Sequence, residues 1–232
     1  MNQNGVTALL PCRVGSVRVK DKNTRPFGPN GESLLEIKLR QLSKLDFLSE
    51  IILSTNDERC ISIAEETLGG RVSIDIRPSN LCNDSTNLTD LMEYLGQLIR
   101  TEMFLWTHVT SPFFGRQHYT RAFEVFSSQV SDSESSLVAV EQIQDFVYFR
   151  GRPVNFGAAD CYWPRTQDLE PLYRVTSAAF FGKTSLLVGP RNRVSDRPVL
   201  FPVDGASAID IDWPQDFNNA ADLARTLQET LE

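Results

Sequence analysis

The chain has only two histidines and four cysteines in 232 residues, and none stands in a metal-binding spacing. No pair among Cys12, Cys60, Cys82 and Cys161 is spaced CxxC, and no histidine cluster accompanies them, which argues against zinc. The N-terminus lacks a charged leader region, and its apolar run is too short to direct secretion. A disulfide framework is therefore not expected, and the reducing cytoplasm is the expected compartment. No segment approaches the ~20 apolar residues that span a bilayer, so no membrane partner is expected. Positive charge is not in excess: the net charge is −7, against a dedicated nucleic-acid binder. Neither GxxxxGK[ST] nor GxGxxG occurs. Internal repeats and low-complexity linkers are also missing.

What is present is a regular alternation of apolar strands and amphipathic helices, over a length that suits one α/β domain spanning 1–232. Val6 to Leu10 reads as a buried strand. Ser33 and Glu36 form a capping box for a helix with Leu34, Ile37, Leu42 and Leu45 on its apolar side. Ile51 to Ser54 is a second strand, and Asn56 or Asp57 caps a helix that stops at Gly69-Gly70. Strands are expected over Val72–Ile76, Met103–Thr107, Ser136–Ile143, Ala178–Gly182 and Ser207–Ile211. Helices are expected over Asn87–Arg100, over Arg116–Val130 and from Pro214 to about Leu231. This rhythm predicts a mostly parallel sheet covered on both faces. It breaks between about 143 and 175, where aromatics, Pro and Gly predict a strand-rich excursion.

In open α/β sheets ligands collect outside the carboxyl ends of the strands. That brings together the loops after Leu10, Ile76 and Thr107. The first holds Arg13, Arg18, Lys20, Lys22 and Arg25 against a single acid, Asp21, a basic island in an acidic chain. Gly15 lets the backbone approach a ligand, Ser16 offers a hydroxyl, Arg13 can clamp a phosphate bidentately and Lys22 adds a point charge. A solvated basic loop would look the same from charge alone. Near the other end, Asp210 and Asp212 lie two apart, which on a strand puts them on one face with Ile211 in the core. Two such carboxylates repel unless a cation lies between them, and Mg²⁺ prefers oxygen ligands and substrate phosphates. An isolated DxD is also what a solvated strand end looks like. Taken together, the two segments point to an enzyme that handles a nucleoside triphosphate with magnesium.

Five motifs in order give the chain a resemblance to the acylneuraminate cytidylyltransferase family, which includes the CMP-sialic acid and CMP-KDO synthetases. Leu9 to Ser16 with Lys22-Asn23 is similar to that family's opening IPAR-x-GS…KN motif. Ser54-Thr55-Asn56-Asp57 resembles its ST-D-D turn, and Arg77-Pro78, Leu81 and Asp84 resemble its RP-xx-L-xx-D segment. Thr110-Ser111-Pro112 resembles TSP, and Ile209 to Asp212 with Asp216-Phe217 and Ala221 resembles DID…DF…A.

The resemblance implies a Rossmann-like, doubly wound sheet of the nucleotide-diphospho-sugar transferase type. It implies transfer of CMP from CTP to the anomeric hydroxyl of an acidic 2-keto sugar, with pyrophosphate leaving. Arg13, Lys22 and Asp212 would be catalytic. Leu10, Pro11, Cys12, Arg13, Ser16, Lys22, Asn23, Arg77, Asp84 and Ser85 would border the nucleotide. His108, Thr110 and Ser111 would face the sugar, and Asp210 and Asp212 would hold Mg²⁺. It also implies a homodimer joined through the excursion. Three positions depart from the pattern. Val17 replaces the family's frequent Lys, His108-Val109 replaces Gln-Pro, and Thr176-Ser177 replaces Asn-Gly. The last two fall on the sugar side, which predicts an ordinary CTP site with an unusual acceptor. Two rival readings are a DxD glycosyltransferase and a non-catalytic nucleotide-binding relative. The first usually carries its DxD in mid-chain, and the second would have lost its charged residues.

Overall fold

In a computed structural model, residues 5–129, 135–227 and 231 are described. Nine strands form along the chain: β1 (Val6–Cys12), β2 (Leu48–Thr55), β3 (Ser73–Ile76), β4 (Met103–Trp106), β5 (Ser136–Ile143), β6 (Tyr148–Phe149), β7 (Arg152–Pro153), β8 (Leu172–Lys183) and β9 (Val199–Val203). The helices are α1 (Leu34–Ser43), α2 (Glu58–Leu68), α3 (Leu88–Leu98), α4 (Arg116–Gln129), α5 (Thr184–Val188) and α6 (Pro214–Thr226). Seven strands make one sheet in the order β3-β2-β1-β4-β8-β5-β9. β1 is parallel to β2 and β4, β2 to β3, and β5 to β9, whereas β8 runs antiparallel to both its neighbours.

Both faces are covered, because successive residues of each strand point to opposite sides. Ala8, Leu10, Leu53, Leu105 and Phe181 pack with α1, α2, α4 and α6 in one cluster. Leu9, Ile52, Phe104, Trp106 and Phe180 pack with α3 and α5 in the other. Strands buried on both faces read as continuous apolar runs, which is why β1, β2 and β4 stand out in the sequence. The helix starts form as their chemistry requires. The Ser33 hydroxyl accepts from the Glu36 N–H while the Glu36 carboxylate accepts from the Ser33 N–H. Asp57, rather than Asn56, caps α2, and Gly69 ends it at a φ of +56°.

Three expectations are corrected. Ser207–Ile211 is not a strand. A 3-10 turn covers Gly205–Ala208, and the extended segment beyond it joins no ladder. The edge position belongs to β9, which has Pro202 in its interior and Leu200 exposed. A proline has no N–H to donate to a ladder and is tolerated at an edge. β8 is a 12-residue strand, not the five residues Ala178–Gly182, and its first part pairs with the end of β5. As expected, the excursion carries strands of its own, the small antiparallel hairpin β6–β7, with a 3-10 turn and loops before the start of β8. α6 stops at Thr226 rather than near Leu231, and Val130, the expected end of α4, lies outside the described residues. Among the described residues no helix is long and apolar enough to cross a membrane.

Candidate active site

The loops after β1, β3 and β4 surround one cleft of about 440 Å³ at the carboxyl ends of those strands. Arg13, Ser16, Arg18, Lys22 and Asn23 line it from the first loop, Arg77 and Asp84 from the second, and His108 to Thr110 from the third. The first loop turns at Gly15, whose φ of +81° lies in the region that disfavours a Cβ. Its path is held by side chains: the Val14 N–H donates to Asn56 Oδ1 at 2.9 Å, and Asn23 donates to the Arg13 carbonyl at 3.4 Å. The Arg13 guanidinium pairs with Asp84 and reaches the Cys82 carbonyl, tying the first loop to the second. Arg77 is buried and donates to the Ser54 hydroxyl at 3.1 Å and the Ser54 carbonyl at 2.6 Å.

The C-terminal acids meet this loop. The Ile211 N–H donates to the Thr110 carbonyl at 2.9 Å, so the segment carrying Asp210 and Asp212 is fastened beside the third loop. The Lys22 ammonium donates to the Ile211 carbonyl at 2.7 Å and stands 3.9 Å from Asp212. Arg18 donates to Asp212 at 2.9 Å and lies over the Trp213 ring. Burial pulls Lys22 below the usual lysine value, while Asp212 and Asp210 hold it up. The Asp216 carboxylate accepts from the Asp212 and Trp213 N–H groups at 3.0 and 2.8 Å, fixing the backbone under the acid pair. Asp210 and Asp212 line an adjoining cleft of about 610 Å³, with Arg18 and Lys22 as the bridge between the two.

The alternation expected of Asp210, Ile211 and Asp212 holds without a strand: Ile211 is fully buried and the flanking acids are half-exposed. Ser177 donates to Asp210 Oδ2 at 2.6 Å, but Asp210 Oδ1 is buried with no partner. A buried acceptor in that state costs about 1–3 kcal/mol, and more when charged. A hard cation beside it would remove that cost, and the oxygen-only donor pair suits Mg²⁺. Among the described residues no group of three or more His, Cys, Asp and Glu side chains forms a metal cage. A cation here would therefore need ligands from phosphate or water, as Mg²⁺ habitually takes.

Not every residue singled out from sequence reaches the cleft. Leu10 and Cys12 are buried inside β1, and Cys12 is not part of the cleft wall. Ser85 is exposed and, unlike its neighbour Asp84, does not line the cleft. Ser111 is buried, and its carbonyl accepts from Lys38 at 2.9 Å, so it anchors α1 to the third loop. Val17 is 75% exposed and has no charge to contribute; Arg18, the next residue, makes the contact with Asp212. Trp106, at the end of β4, lines the cleft beside His108. The Trp106 indole donates to His108 Nε2 at 3.0 Å. Burial, with Arg193 beside it, pushes His108 down to about 3, so the ring is neutral at ordinary pH.

Comparison with known proteins follows this geometry. Residues 7–155 match the family model described as cytidylyltransferase. The pseudaminic acid cytidylyltransferase of Campylobacter jejuni subsp. jejuni serotype O:23/36 is 24% identical over 229 residues, covering 96% of this chain and 97% of that protein. The N-acylneuraminate cytidylyltransferase of Streptococcus agalactiae serotype III is 24% identical over 213 residues. The chain spans 51% of that longer protein. Among solved structures, a CMP:2-keto-3-deoxy-manno-octonic acid synthetase complexed with CTP superposes with a TM-score of 0.69 at 14% identity, over 97% of this chain and all of that one. The 4-diphosphocytidyl-2C-methyl-D-erythritol synthase of Anaerococcus prevotii superposes with a TM-score of 0.65 at 15% identity, over 96% of each chain. At those identities the superpositions speak for the fold, a nucleotidyltransferase variant of the Rossmann-like sheet. Matched by the family model over more than half its length, the chain belongs to the cytidylyltransferases and is a nucleotidyltransferase.

Proposed function

We propose that this enzyme transfers CMP from CTP to the anomeric hydroxyl of a 2-keto sugar acid, releasing pyrophosphate, with Mg²⁺ held by Asp210 and Asp212. The observation that carries the reading is the meeting of Arg18 and Lys22 with Asp212, at the rim of a cleft that also holds Arg13 and His108. The two relatives act, by name, on pseudaminic acid and on N-acylneuraminate, which supports a nonulosonate or a KDO-like octulosonate as acceptor.

In this reading the sugar hydroxyl oxygen forms a bond to the α-phosphorus, and the α-phosphorus bond to the bridging oxygen breaks. The bonding pair leaves with pyrophosphate. Phosphoryl transfer of this kind has a loose transition state, so the protein acts mainly by positioning and by neutralising charge. Arg13, Arg18 and Lys22 supply three cations for the leaving pyrophosphate, and Ser16 and Asn23 orient it. Arg77 and Asp84 border the cytidine. Asp212, on the acceptor's approach, takes the hydroxyl proton. Bound Mg²⁺ would add charge neutralisation at the phosphates.

A pyrophosphate-release assay tests the proposal. N-acetylneuraminic acid, pseudaminic acid and KDO are each offered with CTP and Mg²⁺, and at least one should turn over. Excess EDTA should stop the reaction, and Mg²⁺ should restore it. Equal use of UTP or GTP would sink the cytidylyl reading. The unpaired thiols accord with work in the reducing cytoplasm.

We further infer a homodimer formed through residues 146–173. Phe156 and Trp163 stack at 4.9 Å, with Phe146 and Tyr162 edge-on to them. Phe149 remains 65% exposed and Trp163 61%. An exposed aromatic cluster such as Trp163 with Tyr162 marks an interface more often than free surface. Analytical ultracentrifugation should give twice the chain mass, and a Phe149→Asp/Trp163→Asp double variant should sediment as a monomer. A monomeric wild type would refute the pairing.

A further inference from the structure

Arg193 stands in the loop between α5 and β9, and that loop is pinned. The Asn192 N–H donates to the Leu186 carbonyl at 2.9 Å, and the Ser195 N–H donates to the Ser136 hydroxyl at 2.8 Å. The Arg193 guanidinium lies 4.0 Å over the Phe180 ring and 5.5 Å over the Trp106 ring. Its Nη1 is 3.3 Å from His108 Nε2. Among the described residues no carboxylate pairs with it, in contrast to Arg13, Arg18, Arg59 and Arg191. Burial alone pulls it down to about 10. A desolvated guanidinium without an anion is costly, and two aromatic faces offset only part of that cost.

His108 completes the picture. Its Nε2 faces two donors, the Trp106 indole at 3.0 Å and Arg193 at 3.3 Å. That nitrogen must present its lone pair, so the proton of the neutral ring sits on Nδ1. Neither His108 Nδ1–H nor the remaining Arg193 N–H groups donate to an acceptor among the described residues. Both His108 and Trp106 line the cleft that holds Arg13 and Lys22. The result is a His108 donor on the cleft wall, in contact with an arginine that is not itself part of that wall and that no carboxylate pairs with among the described residues.

We propose that Arg193, with His108 set beside it, seats the carboxylate of the acceptor and is a specificity-determining residue of this enzyme. The assignment rests on the transfer reading above, because a carboxylate is the one anionic group of a 2-keto sugar acid. Guanidinium and carboxylate match bidentately, and one such charged pair is worth roughly 10- to 100-fold in affinity. A purely structural role would make Arg193 only a lid on Phe180 and Trp106.

The test separates these roles. Arg193→Met keeps a long stem on Phe180 and removes the charge; Arg193→Lys keeps the charge and removes the fork. Both should raise KM for the sugar acid roughly 10- to 100-fold while KM for CTP stays within twofold. The C1 amide of the same sugar should be used equally poorly by wild type and variants. An unchanged sugar KM, or equal rises in both KM values, would overturn the proposal. A readout independent of turnover uses the two histidines of the chain. With ¹⁵N-histidine labelling, N-acetylneuraminic acid, pseudaminic acid and KDO are titrated in turn, and at least one should shift the His108 resonances in wild type but not in Arg193→Met. If none of the three moves His108, the carboxylate seat is refuted. If one does without being turned over with CTP, the seat stands and the transfer reading falls.

Discussion

Asp212→Asn should lower CMP transfer by at least about 10²- to 10³-fold, the scale on which removal of one preorganised charge-stabilising group acts, while the protein stays folded. The stability side of this expectation follows from the surroundings. Asp212 is 45% exposed at its side chain, and its ion-pair partners are Arg18 and Lys22. An exposed pair of this kind contributes about 0–1 kcal/mol. The backbone at this point is held independently, by Asp216 and by the bond from Ile211 to Thr110. Asn keeps the shape and one acceptor oxygen and removes the charge. The loss should therefore fall on catalysis, with an unchanged thermal unfolding midpoint and circular dichroism spectrum. Asp210→Asn should act in the same direction, because it neutralises the carboxylate whose Oδ1 is buried without a partner. Activity within threefold of wild type in either variant would remove that acid from the mechanism.

Phe181→Ala should cost about 3–5 kcal/mol of unfolding free energy. That is a large share of the 5–15 kcal/mol that holds a domain together. Phe181 sits on β8 opposite Leu105 of β4 and Leu137 of β5, fully buried. Its ring lies 5.7 Å from Phe126, 5.9 Å from Phe123 and 6.0 Å from Phe47. Truncation would leave a cavity walled by two aromatics of α4 and one in the turn before β2, which cannot collapse without moving backbone. Urea unfolding measures the effect. Val17→Ala serves as the control, expected within about 0.5 kcal/mol because Val17 is exposed. A cost below about 1.5 kcal/mol for Phe181→Ala would mean that β8 is not the keystone of this sheet.

The alternation of elements was legible where burial is two-sided. β1, β2, β4 and β5 announce themselves as apolar runs, and α1, α2 and α3 by periodicity and by Ser33, Asp57 and Asn87 at their starts. β9 was missed because an edge strand is half-exposed and tolerates Pro202, so its pattern looks like a loop. The first half of β8 was missed for a related reason: Tyr173, Arg174 and Val175 are exposed, and pairing with β5 rather than core burial makes them a strand. The direction of β8 was not legible either, since its side chains alternate alike in parallel and antiparallel pairs.

The site shows the same division. Residue types alone singled out Arg13, Ser16 and Lys22 as candidates for phosphate and Asp210 with Asp212 as an acid pair, because phosphate and hard cations accept few kinds of partner; the structure brings the first three to one cleft. Motif order was enough to name the family. Sequence could not say that Arg18 reaches Asp212, nor that Arg193 joins His108 from 85 positions away. Those pairings are made by the fold. Local chemistry determines what each residue is able to hold, whereas the sheet order and the Ile211–Thr110 bond decide which of them share one cleft. A charge becomes a site only when distant segments are brought within hydrogen-bonding reach and shielded from water, and both conditions belong to the tertiary structure.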